Sequence, residues 1–290
     1  MEIPSNFSLV GVFIFVILFA STLTMLRLGR RIGVQRRALD PEGAAAGLGT
    51  VEGAVFGLMG LLLAFTFSGA ASRFEVRRQL IVEETNAIGT AYLRLDLLPP
   101  GDQPKMREDF RSYVDARLSV YRKLPDLEAS RAEMSKATAL QGQIWSRGVA
   151  GCKELNSPAV TSLVLSSLNE MIDITTTRSV ALRSHPPAII FAMLFVLLLA
   201  SSLLAGYSMS AGKARSSLHM VGFALIMAIA VYIIIDIEFP RVGLVRIDYV
   251  DGPLTRAVHL VSRVRGEEEL EGNELIRKRP SGETSYCKKA

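Results

Sequence analysis

Three arginines, Arg73, Arg77 and Arg78, follow directly on an apolar run in "AFTFSGAASRFEVRRQLIVEETNAIGT", and Glu83, Glu84 and Asn86 come next along the chain. Guanidinium groups gathered at the mouth of an apolar segment concentrate anions and set charge selectivity. A second polar group, Asn169, Glu170, Asp173 and Arg178, lies in "LNEMIDITTTRSVALRSHPP". Placed at matched heights on two antiparallel helices, the two groups supply opposite charges that pair. Such pairs either fix helix register or line an axial polar path. A third candidate is Asp236 in "IIIDIEFPR", beside Glu238, Pro240 and Arg241. A charge at the end of a span costs far less than one at its centre, and an Asp236–Arg241 pair accounts for it.

Other chemistries find no residues to carry them. There is no nucleophile elbow, phosphate-binding glycine loop, metal-ligand spacing or carboxylate pair with a matching histidine, so we expect no enzyme, catalytic residue, metal or cofactor. Cys152 and Cys287 are isolated and are expected to be free thiols. His185, His219 and His259 are far apart in sequence, and His185, just before Pro186 and Pro187, reads as an interfacial residue. No nucleic-acid partner is expected.

The composition explains which elements must position these groups. Hydrophobic residues make up 49% of the chain and charged residues 21%, so the two kinds must be segregated. Phe7 to Leu26, Gly53 to Ser72, Pro187 to Gly212 and Ser216 to Ile235 contain no Asp, Glu, Lys or Arg. Each is long enough to cross the hydrocarbon core, which takes about 20 residues. Backbone polar groups in lipid must pair within the segment, so the spans are helices. The expected protein is multi-pass in the cell (inner) membrane, with the bilayer as its first partner. The opening "MEIPSN" lacks the basic residues of a cleaved signal, so the first span reads as a retained anchor. Arg27, Arg30, Arg31, Arg36 and Arg37 follow it, which favours an N-terminus outside.

Between spans two and three, Phe67, Phe74, Ile81, Ile88 and Leu95 recur at intervals of seven, one seam of a coiled-coil-like helix. No breaker occurs before Pro99, Pro100 and Gly101, so Gly53 to Leu98 reads as one rod of about 69 Å. "DQPKMREDFRSYVDARLSVYRKL" places Met106, Phe110, Val114, Leu118 and Tyr121 on one face. Leu127 to Trp145 is a weaker helix, free of glycine until Gly142. A last helix opens with Ser157 as N-cap and Pro158 at its first position, buries Val160, Val164, Met171 and Ile172, and runs into span three through Pro186–Pro187. The fold class is therefore an all-α membrane protein, with four transmembrane helices and a helical bundle stalk continuous with spans two and three. Its expected parts are residues 1–72, spans one and two with a basic loop; 73–186, the extramembrane bundle; 187–238, spans three and four; and 239–290, a polar, partly disordered tail. On span two, Gly53, Gly57 and Gly60 share a face that admits a close neighbour, either within the chain or between subunits.

"GLLLAFTFSGAASRFEVRRQLIVEETNAIGTAYLRLDLLP", "LNEMIDITTTRSVALRSHPP" and "DIEFPRVGLVRI", in this order, resemble the bestrophin-like family of bacterial membrane proteins. Bestrophins are pentameric anion channels with four spans per subunit and a hydrophobic neck on the second. The resemblance implies a homo-oligomer passing small anions, with Leu63 or Phe67 as the constriction and Arg73, Arg77 and Arg78 as the anion collar. The bestrophin neck motif is not matched residue by residue, and Phe56, Leu63 and Phe67 are simply apolar positions of the corresponding span. The tail "GEEELEGNE" reads as a solvated charge run rather than a calcium clasp. The alternative function is a non-conducting membrane scaffold or sensor whose stalk binds a partner.

Overall fold

A computed structural model of the chain describes residues 5–40, 42, 48–123, 126–211 and 217–239. Seven α-helices follow one another, α1 Ser5–Leu39, α2 Leu48–Leu93, α3 Gln103–Arg122, α4 Leu127–Leu155, α5 Pro158–Arg183, α6 Ala188–Ser208 and α7 Ser217–Glu238, with no strand among the described residues. Four helical stretches, within Leu9–Leu39, Leu48–Leu97, Pro158–Ala211 and Ser217–Glu238, are long and apolar enough to cross a membrane.

The second helix is unbroken over 46 residues, through the arginines that end its apolar half. No proline interrupts it, and a short 3-10 turn at Arg94–Leu97 closes it just before Pro99. Proline disfavours the α conformation in the residue before it, which is why the helix cannot go further.

The described residues form two compact units. One holds those up to Gln79 and from Ser179 onward; the other holds Leu80–Arg178. In the first unit, Leu18 of α1, Met59 and Ala70 of α2, Leu194 and Leu198 of α6, and Ala228, Val231 and Ile234 of α7 share a buried core. A small-residue face is used here, although not on span two. A Cβ on Gly29 would overlap the carbonyl of Leu203, and one on Gly206 the carbonyl of Leu26, so α1 and α6 touch backbone to backbone. Close approach of this kind replaces the hydrophobic drive that lipid cannot supply.

The second unit is a bundle of the outer part of α2 with α3, α4 and α5. Its core holds Ile88 and Tyr92, then Leu95, with Met106, Phe110 and Val114 of α3, Ile144 of α4, and Val164, Leu168 and Met171 of α5. The seven-residue seam is buried at Ile81, Ile88 and Leu95, while Phe67 is exposed. Helix α4 starts at Asp126, whose Oδ1 accepts from the amides of Glu128 and Ala129 at 3.1 and 3.0 Å. It runs ten residues past the expected end at Trp145 and stops at Asn156, in the left-handed region with φ 51°. Gly142, Gly148 and Gly151 all sit inside it. Gly148 leaves room for Leu168, and Gly151 for Leu98 and Asp102, so tertiary contact outweighs their poor helix propensity. Helix α5 passes into the third span through the expected Pro186–Pro187 joint, ending at Arg183 and resuming as α6 at Ala188.

Candidate functional site

Arg77 sits on the inner side of α2 with its side chain 3% exposed. Its Nε donates to the Ala181 carbonyl at 3.2 Å and its Nη2 to the Ser184 carbonyl at 2.9 Å, at the C-terminal end of α5. Its Nη1 donates to the carbonyl of Glu238, the last residue of α7, at 2.8 Å. The last carbonyls of a helix lack intrahelical partners and carry partial negative charge, so one guanidinium closes two helix ends. The same arginine reaches Glu238 Oε1 at 3.3 Å. Arg73, one turn earlier, donates to Glu238 Oε2 through Nε at 2.9 Å and Nη2 at 2.7 Å. His185 Nδ1 lies 3.0 Å from Glu238 Oε1, and its ring stacks on Phe239 at 4.7 Å. Glu238 itself is fully buried.

The three arginines of the expected collar are thus placed unequally. Arg77 is turned inward and Arg73 is held by Glu238, because a buried carboxylate 165 residues further on draws both in. Arg78 stays exposed, paired with Glu75 at 3.0 Å.

A second cluster lies in the bundle. Glu84, fully buried, accepts from Arg117 Nε at 2.7 Å and also pairs with Arg178 Nη1. Arg117 is 1% exposed. Of the seven residues of the expected polar network, only Glu84 and Arg178 meet across two helices. Glu83, Asn86, Glu170 and Asp173 are exposed, and Asn169 donates to Asp173 at 2.7 Å one turn along the same helix.

The membrane part of α2 is the least covered of the four apolar stretches, with 11% of its most apolar window buried against 22%, 28% and 33% for the others. Leu63 is half-buried against the core, whereas Phe65 and Phe67 are exposed. Among the described residues, and leaving aside the helix's own neighbouring backbone, nothing lies within 4 Å of where a Cβ would stand on Gly53, Gly57 or Gly60.

A family model described as the bestrophin-like domain matches residues 12–250. The chain belongs to the bestrophin-like family. The fold of this bestrophin-like protein is similar to a crystal structure of a bacterial bestrophin homologue from Klebsiella pneumoniae carrying the mutation Y211A. The TM-score is 0.53 at 14% identity, over 84% of this chain and 96% of that one. No curated protein matches the sequence. Family and apolar helices together make it an integral membrane protein.

Two residues that organise these clusters escaped sequence reading. Arg117 stands between Val114 and Leu118 on a face read as apolar, and Glu238 was passed over for Asp236. Asp236 is buried and takes the Tyr232 hydroxyl at 3.4 Å. Its expected partner Arg241 lies outside the described residues, as do His259, Cys287 and the tail. Among the described residues, no group of three His, Cys, Asp or Glu side chains is placed to hold a metal ion.

Proposed function

We propose that this bestrophin-like protein is a homo-oligomeric anion channel in the inner membrane, with α2 of each copy turned toward a shared axis. The observation that carries this reading is the uncovered face of α2, with Gly53, Gly57 and Gly60 vacant and Phe67, on the same side of the helix, exposed. Lipid alone gives a helix no reason to expose three glycines, whereas small residues let another helix approach closely. In such a ring Phe67 is the better constriction, since Leu63 is engaged in its own subunit. The charge collar reduces to Arg78, because the charge of Glu238 offsets Arg73 and Arg77. The N-terminus is placed outside, following the arginines after the first span.

Purified protein in liposomes should release chloride, and Arg78→Glu should lower the anion preference. A well-folded oligomer that leaks no chloride would sink the proposal. The paired arginines at the membrane end also favour the second reading, a non-conducting scaffold, because they leave little free charge to attract anions. A monomer by detergent-corrected mass would decide for that reading.

A further inference from the structure

The end of α1 carries a separate feature that the channel reading does not use. Arg27, Arg30 and Arg31 are spaced so that they fall on one face of the helix, and they line an open groove of about 800 Å3 between α1 and the start of α7. None of the three pairs with a carboxylate among the described residues; the contact of Arg30 is to the Met220 sulfur at 4.0 Å. The arginines of the other two clusters, by contrast, each face a buried glutamate. The rest of the groove includes Leu23, Met220 and Val221.

The level of this groove is fixed by packing. Leu26, the last residue before the arginines, shares a buried cluster with Met220 of α7. The apolar runs of both helices therefore end at the same height, and the guanidinium groups stand where a phospholipid has its phosphate. Below them the walls are apolar, where a phospholipid has its acyl chains. A soluble anion would have no use for the apolar floor, and an acidic peptide would meet hydrocarbon there.

We propose that this groove binds one anionic phospholipid, with its phosphodiester on Arg27, Arg30 and Arg31 and its acyl chain along Leu23, Met220 and Val221. Basic pockets between transmembrane helices suit such headgroups, and each arginine near the surface adds a similar increment of attraction. The inference stands whether or not the protein conducts.

The test uses the full chain purified in uncharged detergent, with lipid retention read by native mass spectrometry. Phosphatidylglycerol should be retained at least tenfold better than phosphatidylcholine. Arg27→Gln/Arg30→Gln/Arg31→Gln should weaken retention about a hundredfold, and Arg36→Gln, outside the groove, should leave it unchanged. Retention of phosphatidylglycerol should also fall as salt is raised, a measurement that needs no variant. Equal retention of the two lipids, retention by the triple variant at the wild-type level, or full displacement by soluble glycerophosphate would each overturn the proposal. If the triple variant does not fold, salt-independent retention by the wild-type protein overturns it equally.

Discussion

Glu84 in the bundle and Glu238 at the end of α7 each sit fully buried against two arginines, yet they are built differently. The Glu84 cluster joins side chains of three helices and no helix end, and both of its arginines are at most 3% exposed. The Glu238 cluster joins side chains to the terminal carbonyls of α5 and α7, and Arg73 and His185 are about one-third exposed, 30% and 35%. One carboxylate, in the dry interior of a bundle, sets the register of α2, α3 and α5. The other, at a wetter edge, ties down helix ends and offsets the charge of Arg73 and Arg77.

That contrast predicts unequal sensitivity. Glu84→Leu strands two buried guanidinium groups and should cost about 3–5 kcal/mol, the range for breaking a buried pair, read from the unfolding of the purified protein. Replacing the set together, as Glu84→Leu/Arg117→Met/Arg178→Leu, should recover most of that loss, since apolar packing replaces buried ions at little cost. Failure to recover would mean that the cluster does more than fill a core.

Glu238→Ala should cost less, about 2–3 kcal/mol, because water screens the exposed side of its partners. A loss as large as that of Glu84→Leu would erase the distinction between the two regions. Gly206→Ala forces a methyl into the Leu26 carbonyl and should cost about 1–2 kcal/mol by the same measurement.

The smallest effect concerns Cys152, which is buried in the bundle and accepts from the Thr161 hydroxyl. Burial pushes its thiol up from the ordinary range, so the thiolate that reacts is scarce at neutral pH and becomes available only as pH rises past the usual cysteine range. In Cys287→Ser protein, maleimide labelling at pH 7 should be negligible until denaturant is added; prompt labelling would show the bundle to be open.

Much of this architecture was legible because period and composition report on local environment. The unbroken second helix followed from the absence of proline up to Pro99, and the faces of α3 and α5 from the spacing of Met106, Phe110 and Val114 and of Val164 and Met171. What escaped was contact between distant segments. Helix α4 reads as ending at Trp145 until Gly148 is seen to make room for Leu168, and nothing near Arg77 points to a carboxylate 161 residues away. Arg117 was hidden by its neighbours, since one arginine in an apolar stripe looks like a surface residue until a buried glutamate faces it. Periodicity shows that a face is covered and is silent on which charge covers which.

The uncovered face of α2 is the central claim, and disulfide cross-linking tests it most directly. In a Cys152→Ser/Cys287→Ser background, Gly57→Cys in native membranes should yield disulfide-linked subunit pairs on mild oxidation. Leu194→Cys, buried within one subunit, should yield none. A protein that remains monomeric with cysteine at position 57 would contradict the account, because that face would then meet only lipid.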